Sequence, residues 1–244
     1  MKPFLILQLR PETEVSDDEF HAFLTKGGLD ESEVRRIRLD QEPLPADLDL
    51  AEFAGTIVGG GPGCVSDAPT KKSALERRME DAVLSLMPEI TRHDLPFMGC
   101  CYGIGILAHH LSGWVGKDRY AEGVGAVTCR VTEAGQQDRL LGDLPATFSA
   151  FVGHKEAVQA LPNGCVHLLA SDPCPFQMIR FGENVYATQF HPEADPDVFE
   201  LRIRFYRDHG YFQPGEADHL IEQCREEDVR VPALILRQFV ETYR

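Results

Sequence analysis

Apolar and polar positions switch between two periods along the first hundred residues. Residues 4–9 form a short apolar run of strand length, and residues 34–39 alternate with period two. Between them, residues 17–24 place Phe20, Phe23 and Leu24 on one helical face, and Ser16 precedes them as a candidate N-cap. Residues 55–58 read as a third strand that runs into Gly59-Gly60-Gly61-Pro62-Gly63. Residues 72–87 carry Leu75, Met79, Ala82, Val83 and Leu86 as an apolar helical stripe. A short strand over 95–99 leads directly into a helical pattern over 102–111.

Strands alternating with helices predict an α/β fold, an open and mostly parallel sheet with helices on both faces. Ligand sites in such sheets lie beyond the carboxyl ends of the strands. The middle of the chain is β-rich, with strands expected over 123–131, 147–152, 166–170, 177–181 and 185–189. From Pro196 onward the pattern is helical, over 198–207, 217–225 and 233–243. No linker rich in Gly, Pro or Ser interrupts it. The expected organisation is a catalytic domain over 1–195 with a helical extension over 196–244 packed on the same domain.

Composition narrows the function classes. Among 244 residues, 39 acidic against 24 basic side chains give a formal net charge of -15. That field repels polyanions, so neither nucleic acid nor an anionic membrane is an expected partner. The apolar N-terminal run is too short for a signal-peptide core and reads as a strand. The seven cysteines show no CxxC pair and no zinc spacing. Free thiols, a cytoplasmic location, and neither metal nor cofactor are the expectations.

Three segments carry candidate chemistry. In Pro96-Phe97-Met98-Gly99-Cys100-Cys101-Tyr102-Gly103, a strand ends and a helix begins around a cysteine flanked at two residues by glycine. This is the cysteine form of the nucleophile elbow, a turn so sharp that glycines are expected on both sides. It assigns the nucleophile to Cys101, with Cys100 at a variable position. A helix N-terminus favours a thiolate, so a lowered thiol pKa is expected. In Val185-Tyr186-Ala187-Thr188-Gln189-Phe190-His191-Pro192-Glu193, a strand delivers a histidine with a carboxylate two residues on. A thiol nucleophile needs a base and a group that orients it, which fits His191 and Glu193. The glycine loop also follows a strand, and its N–H groups can serve a developing oxyanion. The expected donors are the N–H groups of Gly61 and Tyr102. GGGPG lacks the spacing of a dinucleotide loop.

Taken together, IVGGGPG, PFMGCCYG and ATQFHPE, in that order, resemble the class I, triad-type glutamine amidotransferases. The resemblance extends through Ala121-Glu122-Gly123, the stretch 139–145 and Gly153-His154-Lys155-Glu156-Ala157-Val158, covering about residues 3–194. Within the family it is most similar to free-standing members related to the amidotransferase domain of GMP synthase. The resemblance implies a flavodoxin-like sheet, attack of Cys101 on the glutamine side-chain amide, a γ-glutamyl thioester and release of ammonia. It also implies substrate contacts near Gly60, Gly105, His154 and Lys155. One departure stands out: where the family shows G-x-C-x-G-x-Q, with the glutamine helping to hold substrate, this chain has Gly105.

Three functions compete at this point. One is a glutaminase unit that passes ammonia to a synthetase partner on another chain. The second is a free-standing hydrolase of γ-glutamyl amides or peptides, which extra room at Gly105 favours. The third is an inactive binding or regulatory protein on the same fold, against which the intact Cys101, His191 and Glu193 argue.

Overall fold

The computed structural model describes residues 2–244. Its elements, in chain order, begin with strand β1 (Phe4–Gln8), helix α1 (Thr13–Gly27), β2 (Val34–Arg38) and β3 (Gly55–Val58). They continue with α2 (Ala74–His93), β4 (Phe97–Cys100), α3 (Tyr102–His110), β5 (Val115–Gly116), β6 (Glu122–Val131) and α4 (Glu133–Gln136). Then come β7 (Thr147–His154), β8 (Ala157–Val158), β9 (Cys165–Ala170), β10 (Met178–Phe181) and β11 (Val185–Thr188). The chain closes with α5 (Pro196–Tyr206), α6 (Ala217–Glu226) and α7 (Arg230–Tyr243).

Nine strands form one sheet in the order β2-β1-β3-β4-β11-β10-β9-β6-β7. The first five are mutually parallel; β10 and β6 run the other way, which leaves the sheet mostly parallel. Strand alternation sets the two faces. Phe4 and Ile6 of β1 point into a core with Phe20 and Phe23 of α1 and Ile235 and Phe239 of α7. Leu5 and Leu7 point the opposite way, toward Met79 and Val83 of α2 and Ile104 and Leu107 of α3. A third cluster joins Val198, Phe199 and Ile203 of α5 to Ile221 of α6 and Phe151 of β7.

Helices α1 and α2 depart most from the sequence pattern. Helix α1 begins at Thr13, with Glu12 rather than Ser16 at its N-cap. The Ser16 N–H continues the ladder to the Glu12 carbonyl (2.9 Å), and its side chain is buried. Helix α2 starts where Ser73 and Glu76 form a reciprocal capping box. It then continues past Pro88 to His93, because burial of Met87 and Ile90 outweighs the one lost N–H donor. No helix of the described residues is long and apolar enough to cross a membrane.

Candidate active site

Parallel register brings the three motifs together. Strand β4 lies between β3 and β11, with Gly99 opposite Val58 on one side and Ala187 on the other. The ends of these strands therefore release the glycine loop, Cys101 and the segment to His191 side by side. The Cys101 N–H donates to the Thr188 carbonyl (2.7 Å), tying the elbow to the end of β11. Strand β7, at the far edge of the sheet, curls back so that its Phe151 carbonyl accepts from the His191 N–H (3.0 Å).

Cys101 adopts φ 52, ψ -87, a left-handed conformation that costs a non-glycine residue roughly 1–3 kcal/mol. A Cβ on Gly99 would lie 2.9 Å from the carbonyl carbon of Gly103, so Gly99 is required for strand and helix to approach. The expectation of a second mandatory glycine is corrected here: a Cβ on Gly103 meets nothing closer than 3.7 Å. Cys100 points into the core and is fully buried.

Cys101 and His191 line one cavity, together with Gly61. The His191 Nδ1 lies 2.9 Å from Glu193 Oε1. Arg202 Nη1, a donor only, lies 3.1 Å from the same nitrogen, but the carboxylate is closer and only accepts, which assigns the proton to Nδ1 and leaves Nε2 as the basic nitrogen. Glu193 is fully buried, and Arg202 Nη2 donates to the same Oε1 (2.9 Å). Arg202 Nη2 lies 3.6 Å from Glu19, whose carboxylate accepts from Arg10 Nε (2.6 Å). Alternating charges thus run Arg10, Glu19, Arg202, Glu193, all buried and neutral in sum. Neither Arg10 nor Arg202 stands out in the sequence as a site residue. The available signal was a charge on an apolar helix face: Arg202 falls among the buried Val198, Phe199, Ile203 and Tyr206 of α5.

Burial decides the resting protonation. Burial lowers the His191 pKa below its usual 6.5, with the pull of Glu193 and the repulsion of Arg202 opposing each other. Burial raises Glu193, but the neighbouring His191 and Arg202 outweigh it and hold the carboxyl well below its usual range. Burial pushes the Cys101 thiol up to about 12, against the opposing charge of Arg10. The expected low thiol pKa is therefore corrected: desolvation outweighs the opposing charges of Arg10 and Arg202, and the resting pair is neutral thiol and neutral imidazole.

A second cavity meets the first at Cys101 and holds Tyr102, Gly105 and Glu156. Gly61 borders both cavities. The Tyr102 N–H, in the first turn of α3, has no partner four residues back within the helix. Gly60 lines neither cavity; a Cβ there would lie 2.7 Å from Arg10 Nη2 and 2.8 Å from His191 Cε1. The absence of a Cβ there lets Arg10 and His191 pack closely against the loop. Gly105 lines the second cavity, but the room it leaves is taken, since a Cβ would lie 3.1 Å from Glu156 Oε1. Extra space at Gly105 is thus not available to a larger substrate.

His154 and Lys155 border the second cavity, yet their polar atoms are engaged elsewhere. His154 Nδ1 faces the Glu156 carbonyl (2.8 Å) and Nε2 faces Glu122 Oε2 (2.7 Å), so neither ring nitrogen is free for a ligand. The Lys155 ammonium donates to the His209 carbonyl (2.9 Å) and sits 4.0 Å over the Tyr211 ring, clasping the α5–α6 connection over the site. Glu122, His154 and Cys174 also come within 4.8 Å of one another, a second buried Cys-His-Glu group. Glu122 there accepts from Gln177 (2.6 Å) and Ser171 (2.9 Å) as well, so the group ties β6 and β7 to the β9–β10 loop.

The family model for "Glutamine amidotransferase class-I" matches residues 24–207. The glutamine-hydrolysing GMP synthase of Thermosipho melanesiensis is 32% identical over 182 residues, spanning 70% of this chain and 31% of that protein. That of Ligilactobacillus salivarius is 31% identical over 141 residues, spanning 57% and 24%. The chain therefore matches about a third or less of these relatives' length. A glutamine amidotransferase from Thermotoga maritima shares the fold at TM-score 0.76 and 18% identity, covering 100% of this chain and 98% of that one. One from Methylobacillus flagellatus does so at TM-score 0.74 and 22% identity, covering 100% and 96%.

Proposed function

Because this chain belongs to the class-I glutamine amidotransferase family, we propose that it hydrolyses the side-chain amide of glutamine with Cys101, His191 and Glu193. The observation that carries this reading is the left-handed Cys101 sharing a cavity with a histidine whose far nitrogen is tied to a buried carboxylate. His191 Nε2 takes the thiol proton as the sulfur attacks the amide carbon. The N–H groups of Gly61 and Tyr102 receive the oxyanion, both groups lying on the cavity that also holds Cys101. Collapse breaks the C–N bond, the His191 proton leaves with the nitrogen as ammonia, and a γ-glutamyl thioester remains on Cys101. Water, deprotonated by His191, then releases glutamate and restores the thiol. Glu193 holds the imidazole tautomer and balances its cation, and Arg202 positions Glu193.

Glu156 fits the role left open by Gly105. Its carboxylate is buried and accepts only from neutral groups, Val65 N–H (2.7 Å), Ser66 N–H (2.8 Å) and Ser66 Oγ (2.6 Å). It offers its uncompensated charge to the α-ammonium of glutamine. The GMP synthases it resembles are named as glutamine-hydrolysing and are far longer than this chain. By that likeness, the ammonia acceptor is a synthetase partner.

The test combines labelling with turnover. A glutamine-like electrophile is expected to modify Cys101 ahead of the other six thiols, and free glutamine to protect it. Cys101→Ala is expected to lose at least about 10²-fold in kcat for glutamine hydrolysis. Labelling of other cysteines with Cys101 spared would overturn the assignment.

A further inference from the structure

The two N–H groups that receive the oxyanion rest on one side chain. The Tyr102 ring packs against the glycine loop: a Cβ on Gly61 would stand 3.4 Å from Tyr102 Cδ1, and one on Gly63 would stand 3.1 Å from its hydroxyl oxygen. Tyr102 is also the first residue of α3, so its own backbone carries the second donor. A shift of this ring therefore moves the Gly61 and Tyr102 N–H groups together. Misplacing a reacting geometry by about 1 Å costs about 10²-fold in rate, so what holds the ring bears on catalysis.

A buried ion pair holds it. The Tyr102 hydroxyl donates to Glu80 Oε2 (2.5 Å), and the Lys72 ammonium donates to Oε1 (2.6 Å) and Oε2 (2.7 Å) of the same carboxylate. Tyr102 and Glu80 are buried and the Lys72 side chain is 7% exposed, so salt screens the pair little. Burial, with the Glu80 carboxylate beside it, raises the Tyr102 phenol above its usual range, so the hydroxyl keeps its proton and donates. Lys72 also donates to the Val65 carbonyl (3.1 Å), and the Val65 N–H donates to Glu156 (2.7 Å). One hydrogen-bonded frame thus runs from the Tyr102 ring to the Glu156 carboxylate. Neither Glu80 nor Lys72 lines either cavity, so an effect of theirs on the rate passes through Tyr102. An apolar pair of similar volume would hold α2 against α3 about as well, but it would not orient a hydroxyl.

We propose that Glu80 and Lys72 are positioning residues for the oxyanion hole: they hold the Tyr102 hydroxyl and, through its ring, set where the Gly61 and Tyr102 N–H groups point. The proposal rests on the reading of Cys101 as nucleophile and of these two N–H groups as its oxyanion donors. As the sulfur bonds to the amide carbon, the carbonyl π pair moves onto oxygen. The two donors meet that charge in the transition state and not in bound glutamine. Loosening the frame therefore lowers kcat with little effect on KM. Alkylation of Cys101 by iodoacetamide is the contrast. The sulfur displaces iodide from a saturated carbon, no oxyanion forms, and the frame contributes nothing.

The experiment compares glutamine turnover by the full chain with iodoacetamide alkylation of Cys101 followed by mass spectrometry. Tyr102→Phe keeps the ring and the backbone N–H and removes only the hydroxyl. Removing one oxyanion donor outright costs about 10²–10³-fold. Loosening two is expected to lower kcat by about 10-fold or more, with KM and the alkylation rate within about threefold. Glu80→Gln is expected to do the same. The double variant Tyr102→Phe/Glu80→Gln is expected to lose no more than the worse single variant, because both break one link. If Glu80→Gln does not fold, Lys72→Met/Glu80→Met, which removes both charges together, is expected to show the same selective loss. An unchanged kcat in the folded variants, a parallel fall in alkylation rate, or losses that multiply in the double variant would overturn the proposal alone. No turnover by the wild type, with Cys101 refractory to a glutamine-like electrophile, would overturn the catalytic assignment and this proposal with it.

Discussion

Adding one methyl group at Gly99 and one at Gly103 should give opposite results, although the two glycines flank the nucleophile symmetrically in sequence. A Cβ at Gly99 would stand 2.9 Å from the Gly103 carbonyl carbon, 3.0 Å from its Cα and 2.9 Å from Phe97 Cε1. Carbon pairs rest at about 3.5–4.0 Å, so the strand and the helix must separate by about half an ångström or more. Two of the three obstacles are backbone, and the third belongs to a fully buried ring, so no flexible side chain can give way. Overpacking of this kind costs about 1–3 kcal/mol. The displaced element carries the sulfur, and a misplacement near 1 Å costs about 10²-fold in rate. Gly99→Ala is thus expected to lose about 10²-fold in kcat and about 2 kcal/mol in stability. At Gly103 the nearest contact is an ordinary 3.7 Å to the Val58 carbonyl, and the position is helical. Gly103→Ala is expected to keep its rate within about threefold and to gain up to about 1 kcal/mol from helix propensity. Glutamine hydrolysis together with urea unfolding of both variants measures these quantities. Equal loss of activity in the two variants, or an unimpaired Gly99→Ala, would refute the steric account of the elbow.

Removing the Arg202 charge by Arg202→Met leaves Glu193 and Glu19 buried without their shared partner, which is expected to cost about 3–5 kcal/mol in urea unfolding. Arg202 also holds the His191 pKa down, so the acid limb of the pH–rate profile of that variant should move to higher pH. Stability of the wild type should fall as pH drops below 6.5: the folded His191 stays neutral there while the unfolded chain takes up a proton, a difference that levels off below the folded pKa. Urea midpoints at pH 7.5 and 5.5 test the sign, and a higher midpoint at 5.5 would contradict it. Glu156→Gln is expected to raise KM for glutamine by about 10-fold with little change in kcat, and to leave a des-amino analogue unaffected. Comparable losses on both compounds would remove Glu156 from ammonium recognition.

The alternation of periods in the primary sequence determined the α/β class and the strand-end position of each motif. Those features are local: an apolar run, two glycines around a thiol and a histidine at a strand end follow from neighbours a few residues away. Tertiary structure alone decided what depends on distance through space. Arg10, Glu19, Arg202 and Glu193 come from β1's end, α1, α5 and the β11 loop, and only the packing of α1 and α5 on one face places their charges in a row. The folding-back of β7 fills the space beside Gly105 with the Glu156 carboxylate. The same burial inverts the thiol pKa expected from a helix N-terminus, because desolvation depends on every atom around the sulfur and not on the few that precede and follow it.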